Sequence, residues 1–397
     1  MLLYHVLLAF SGYLYADKVS KHNLSFNLSH EAPFTSVLVP AHNEEKVIVR
    51  TVQALCTFRF DPNRYEVIVV NDSSTDRTGQ LLKELEKRFS MLRVVHVSPP
   101  LGGKGKSRAL NIGLQEAKGD FIAVYDADNV PEKNALQRLV ATLVADPSLG
   151  AVVGKFRVYN AKKNLLTRFI NIETISFQWM VQGGRWNLMG ISTIPGTNFV
   201  IRRSILNELG GWDENALAED TELSIRTYTL GHKIQFMPLA TTWEQEPETW
   251  RAWFKQRTRW VQGNIYVITK FSKHLVRPKS RISFDIFYFF LTYFLFLIGV
   301  FLSDLLFVLS WLHVIQLTLS GPLLLIWLLA YALFIVEIIV TLEIEGTELN
   351  VLNIIITMFM YFTYSQLWLI LVLRGAVAQI RNNFAGEEIV WHKTERF

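Results

Sequence analysis

Between Thr35 and Tyr159 the chain repeats one pattern: a short apolar run, a polar turn, then a helix-length stretch with one apolar face. The runs Thr35–Val39, Tyr65–Val70, Arg93–Val97, Phe121–Tyr125 and Gly150–Tyr159 are rich in Val, Ile, Phe and Tyr, and read as buried strands. Helices are predicted over about 45–55, from the Asn71–Asp76 cluster to about Phe89, and over about 132–145. Strand and helix in alternation imply a parallel sheet, which binds ligands beyond the carboxyl ends of its strands. A further helix opens at Ala218–Ser224 and ends at Gly231, and Trp250–Lys270 is amphipathic. The pattern then changes to long apolar stretches at 284–319, 322–342 and 351–373. A bilayer needs about 20 apolar residues per helical span. Splitting 284–319 at Asp304 gives four spans, and an even number leaves both flanking basic segments, Lys270–Arg281 and the tail after Arg374, on one side. The acidic loop Glu343–Glu348 lies between the last two spans. The apolar run 2–15, followed by Lys18 and Lys21, is short for a span and reads as a marginal span or interfacial anchor.

The expected organisation is a membrane segment at 1–21, a cytoplasmic α/β domain at 31–250, amphipathic interfacial helices at 250–281, transmembrane helices at 284–373 and a cytoplasmic tail at 374–397. Composition agrees with that division: half of the 397 residues are hydrophobic, and the excess lies in the second half. The formal charge of +5 clusters near the apolar segments, which points to lipid headgroups and not to nucleic acid. A single cysteine, Cys56, excludes an intramolecular disulfide and a cysteine metal cage.

Chemistry-bearing residues gather where the strands end. Asp126-Ala127-Asp128 follows the Phe121–Tyr125 run; on an extended chain residues i and i+2 face one way, so the two carboxylates suit a hard divalent cation. Pro40-Ala41-His42-Asn43-Glu44 and Asn71-Asp72 follow two other strands. Gly102-Gly103-Lys104-Gly105-Lys106 precedes a helix, which brings backbone N–H groups and charge toward an anion without the spacing of a P-loop. Glu219 and Asp220 open a helix, where a carboxylate by itself is a favourable cap. Gln256, Arg259 and Trp260 share a helix face, and seven of the eleven tryptophans lie between Trp179 and Trp260, as suits sugar stacking or a membrane interface.

In this order, Pro40–Glu44, Asp72, Lys106, Asp126-Ala127-Asp128, Glu219-Asp220 and Gln256-Arg257-Thr258-Arg259-Trp260 resemble the membrane-integrated family 2 glycosyltransferases: the cellulose, chitin, hyaluronan and poly-β-1,6-N-acetylglucosamine synthases. The tail Trp391–Arg396 and Trp260-Val261-Gln262-Gly263 look closest to the bacterial poly-N-acetylglucosamine synthases. The resemblance implies a GT-A fold, Rossmann-like, joined to a transmembrane helical region, in a multi-pass protein of the cell membrane. It implies an inverting hexosyltransferase that uses a UDP-sugar, UDP-N-acetylglucosamine above others, with Mg²⁺ or Mn²⁺. The acceptor is a growing glycan passed across the membrane or a glycolipid, with membrane lipid and accessory export proteins as partners. By the same resemblance, Pro40, Ala41, Asn43, Glu44, Asp72 and Lys106 bind the nucleotide, with Ala127 between the metal-holding Asp126 and Asp128. Asp220 is the general base, with Glu219 beside it, and Gln256, Arg257, Arg259 and Trp260 meet acceptor and diphosphate. Ala218 stands where the family's triplet usually begins with Thr.

Overall fold

The computed structural model describes residues 2–21, 26, 33–272, 297–315 and 321–385. Eight strands form one sheet: β1 (Thr35–Ala41), β2 (Tyr65–Asp72), β3 (Leu92–Val97), β4 (Phe121–Val124), β5 (Val130–Pro131), β6 (Leu149–Val158), β7 (Phe199–Arg202) and β8 (Lys233–Glu244), in the spatial order β3-β2-β1-β4-β7-β6-β8-β5. The first four strands pair in parallel, as the alternating pattern implies. The sheet as a whole is mixed, because β7 runs antiparallel to both β4 and β6 and β5 runs antiparallel to β8. The reason is where β7 starts. The chain returns from its long helical excursion (165–189) to the end of β4 where Asp126 lies, so Phe199 pairs with Val124 and the strand runs back. β8 is a twelve-residue strand with no clean alternation, and the hydrophobic pattern does not predict it.

The period-two alternation of the strands divides the core. Leu38, Ile68, Val70, Ile122 and Val124 pack on one face; Val37, Val39, Val67, Val69 and Ala123 pack on the other. The second face is covered by the helices Ile48–Leu55, Thr78–Glu86 and Ala135–Ala145. The first face is covered by Lys106–Glu116, Leu165–Ser176 and Trp250–Phe271, and its core runs without a break into Ile338, Leu342, Ile356, Met360, Tyr364 and Leu371 of the apolar helices. The sheet and the apolar helices are therefore one packed body.

The apolar helices are Leu297–Trp311, Gly321–Ile344, Val351–Met360 and Tyr364–Ala385. Among the described residues no single helix is long and apolar enough to cross a membrane; Val351–Met360 and Tyr364–Arg381 pass together on length and composition, bent by 44°. Residues 284–296 of the expected first span, and the basic Lys273–Arg281, Lys393 and Arg396, lie outside the described residues. The loop Glu343–Glu348 packs against the sheet domain. Glu345 is buried against the sheet domain, with Lys155 Nζ at 2.8 Å, Trp179 Nε1 donating at 2.8 Å and Arg157 in contact. Glu348 accepts from Asn171 at 3.0 Å. Burial opposes the Glu345 charge, but Lys155 and Arg157 outweigh it and hold the carboxyl below its usual range.

The N-terminal helix, Leu2–Lys21, is longer than the apolar run that suggested it. It crosses the segment Phe177–Gly184 with almost no space between backbones: a Cβ at Gly12 would lie 2.1 Å from the Trp179 carbonyl oxygen, and one at Gly184 2.2 Å from that of Leu8. Its other side exposes Leu3, Leu7, Phe10 and Leu14.

Candidate active site

The end of β4 is where the acidic residues meet. The strand stops at Val124, and Asp126 and Asp128 lie in a turn closed by Asn129 N–H donating to the Asp126 carbonyl at 3.1 Å. Strand alternation therefore does not orient the two carboxylates; the turn does. Two hydroxyls hold that turn: Thr197 Oγ1 accepts from Asp126 N–H at 3.0 Å, and Thr51 Oγ1 donates to the Ala127 carbonyl at 2.8 Å. Asp126 is partly open, whereas Asp128 is buried.

Lys106, at the first position of the helix Lys106–Glu116, reaches into this acidic ground. Its Nζ lies 2.7 Å from Asp126 Oδ1 and 3.2 Å from Glu219 Oε1, and it donates to the Gly196 carbonyl at 2.8 Å. Burial works against the ammonium, but Asp126 and Glu219 outweigh it and keep it charged. Three remote parts of the chain, 106, 126 and 219–220, thus close on one centre. Asp220 opens the helix Glu219–Thr229, its Oδ1 accepting from Thr221 N–H at 2.7 Å. Burial, and then the neighbouring Glu219 charge, push its carboxyl up to about 7, against the opposing pull of Lys106. A carboxyl with that affinity for protons can take one from a hydroxyl near neutral pH.

Gly196, which nothing in the local sequence singles out, is what lets these groups approach. Its φ is +83°, and a Cβ there would lie 2.9 Å from Asp220 Oδ2 and 3.4 Å from Lys106 Nζ. Gly196→Ala is expected to displace Asp220 and to lower turnover on the order of 10²-fold, the usual effect of a ~1 Å misplacement. Steady-state rates at saturating donor test this, and an unchanged rate would show that the close approach has no role.

The residues expected to bind the nucleotide form a second group. Asp72 Oδ1 accepts from Gly103 N–H at 2.6 Å, and Gly102 passes so close that a Cβ would meet Asp72 Oδ1 at 2.7 Å. Asp72 thus anchors the glycine-rich loop. Asn43 has a left-handed φ of 56°, and its Oδ1 accepts from Thr75 N–H at 2.7 Å, which clamps the turns after β1 and β2 together. Pro40 and Ala41 are the last residues of β1, and Glu44 is buried, its N–H donating to Thr78 Oγ1 at 2.7 Å.

The helix Trp250–Phe271 carries the third group. Trp260 is exposed, and Gln256 and Arg259 are half-buried. Arg257 differs from the sequence expectation. It is 1% exposed and points inward, pairing with Glu173 at 2.8 Å and donating to Gln256 Oε1 at 2.9 Å, with its guanidinium carbon 3.8 Å from the centre of the Trp260 ring. Both terminal nitrogens are engaged within the protein. Glu173 itself was missed; its one signal was a carboxylate inside the apolar pattern Phe169–Ile175.

Among the described residues no three His, Cys, Asp or Glu side chains form a ready-made metal cage. The donor set still fits a hard cation: Asp126 already faces one in Lys106 Nζ, and Mg²⁺ commonly takes one or two carboxylates and completes its sphere with phosphate and water.

A mixed sheet with acidic turns at its strand ends frames this centre. The chain belongs to the glycosyltransferase-like family 2, whose profile matches residues 32–263. It is 51% identical to the probable glycosyltransferase YdaM of Bacillus subtilis, over 100% of this chain and 95% of that one. It is 35% identical over 231 residues to the β-monoglucosyldiacylglycerol synthase of Nostoc, and 29% identical over 233 residues to the poly-β-1,6-N-acetyl-D-glucosamine synthase of Staphylococcus aureus. The chain spans about half the length of these two, 49% and 55%. The mannosyltransferase of Pyrobaculum calidifontis, solved with GDP-Man and Mn²⁺, has the same fold, with a TM-score of 0.56 at 20% identity over 96% of both chains.

Proposed function

We propose that this glycosyltransferase takes a sugar from a UDP-sugar, UDP-N-acetylglucosamine first, and adds it with inversion to a growing β-linked glycan passed across the cell membrane. The observation that carries the transfer chemistry is the meeting of Asp220, Glu219, Lys106 and Asp126 around Gly196. The membrane setting is supported by the unbroken core shared by the sheet and the apolar helices, and by the exposed apolar side of the N-terminal helix.

In this reading the turns holding Glu44 and Asp72 bind the nucleotide, and Lys106 approaches its phosphates. Asp126 and Asp128 hold Mg²⁺ or Mn²⁺, which neutralises charge on the departing diphosphate when bound. Asp220 accepts the proton of an acceptor hydroxyl; that oxygen forms a bond to the anomeric carbon as the bond to the diphosphate breaks, and UDP leaves. A positioned base of this kind contributes roughly 10²–10⁴-fold. Gln256, Arg259 and Trp260 meet the acceptor, the indole supplying a face for a sugar ring.

A second reading, single addition to a lipid acceptor, is favoured by one observation: over matches of similar length, 231 and 233 residues, identity is higher to the glucosyldiacylglycerol synthase, 35%, than to the polymer synthase, 29%. Product size separates the two. Purified protein given a panel of UDP-sugars in lipid vesicles is expected to release UDP and form a polymer ladder. A labelled species confined to the organic phase would establish the lipid reading, and no UDP release with any donor would overturn both.

A further inference from the structure

We infer that Glu173 is the positioning residue of the acceptor face, holding Gln256 and Trp260 in place through Arg257 and tying them to the helix Tyr364–Ala385. The inference rests on the proposed role of Gln256 and Trp260 as acceptor contacts.

Glu173 lies near the end of the helix Leu165–Ser176, and its carboxylate gathers three donors from two other elements. Oε2 accepts from Arg257 Nη2 and from the Tyr364 hydroxyl, each at 2.8 Å. Oε1 accepts from Trp368 Nε1 at 3.0 Å. Tyr364 is fixed in turn, accepting from Trp253 Nε1 at 3.0 Å and stacking on Phe169 at 5.1 Å. Arg257 passes the restraint outward: one terminal nitrogen is on Glu173, the other is on Gln256 Oε1 at 2.9 Å, and the guanidinium plane covers Trp260. A guanidinium is rigid and planar, so fixing one edge fixes the stack and the fork together. Burial opposes the Arg257 charge, and Glu173 more than offsets it. Without that carboxylate a buried cation loses its partner, and neither Gln256 nor Trp260 keeps its support. The carboxylate thus links the helix Tyr364–Ala385 to the acceptor face, beside the direct hydrogen bond from Trp253 to Tyr364.

The test uses the full-length enzyme in vesicles, with β-linked N-acetylglucosamine oligomers as acceptor and, in parallel, diacylglycerol in the vesicle. Glu173→Gln keeps the shape but removes the charge and turns an NH₂ toward one of the donors. It is expected to lower kcat/KM for the acceptor by about 10–100-fold, the scale of a ~1 Å misplacement. Donor KM and the slow release of UDP to water are expected to stay within about twofold of wild type, which a general loss of structure would not allow. Glu173→Asp is expected to recover part of the loss. If Glu173→Gln does not fold, Glu173→Gln with Arg257→Met removes the unpaired charge, and the same acceptor defect is expected there. Trp260→Ala and Gln256→Ala run beside it as controls. If they impair the acceptor step and the Glu173 variants do not, the positioning role is wrong. If they leave it untouched, the acceptor role of the motif is wrong and the inference falls with it. Equal losses in donor and acceptor terms would reduce Glu173 to a structural residue and also overturn it.

Discussion

Asp220→Asn is expected to lower transfer by roughly 10²–10⁴-fold while UDP binding persists, because the amide keeps the shape of the side chain and cannot take the acceptor proton. The pH dependence follows from the same residue. Asp220 holds its proton up to about pH 7, and only the deprotonated form acts as a base. Transfer by the parent enzyme is therefore expected to rise with pH and to be half-maximal near 7. Stability moves the opposite way. Between the ordinary carboxylate range and about pH 7 the unfolded chain has released this proton while the folded protein still holds it, so stability falls as the pH rises across that window and levels off above it. The Asn variant has no such proton to release, and its melting temperature relative to the parent is expected to be higher at pH 8 than at pH 5. Rate profiles from pH 5 to 9 and melting curves at both ends check this. Normal turnover in the variant would remove Asp220 as the base, and a flat profile between pH 6 and 8 would remove the linkage to its protonation.

Asp128→Ala is expected to abolish metal-dependent donor binding. The residue is buried in a turn held by Thr51 and Thr197, so the substitution removes a carboxylate from a turn whose backbone stays fixed. Loss of an outer partner of a metal ligand typically costs 10–100-fold in affinity, and loss of the ligand itself at least that. UDP titrations with and without Mn²⁺ measure it: the parent is expected to bind UDP more tightly with the ion, and the variant equally weakly in both. Unchanged binding in the presence of Mn²⁺ would exclude a metal role for Asp128.

Much of the domain was legible in the sequence for local reasons. Strands β1 to β4 are short Val- and Ile-rich runs bounded by polar turns, and each lies within a few residues of its apolar run. The acidic turns after β1, β2 and β4 were readable for the same reason, since a polar cluster at the end of a buried run has nowhere to sit but a sheet edge. What failed to read was non-local. β7 is four residues long and takes its direction from where the chain re-enters the sheet, which no local pattern records. Asp126 and Asp128 are oriented by Thr51 and Thr197, hydroxyls 76 and 71 residues from the turn atoms they hold. Arg257 carried the charge of a binding residue and the burial of a core residue; only its pairing with Glu173 settled which.

By itself the order of apolar runs and acidic turns determined an α/β domain with polar turns at its strand ends followed by apolar helices, because strand and helix propensity and turn chemistry act within a few residues. The tertiary structure alone decided that Lys106, Asp126, Gly196 and Asp220 share one centre and that Glu345 returns the acidic loop to the sheet. Burial, which raises Asp220 and binds Glu345 to Lys155, arises only when distant segments exclude water from the same space.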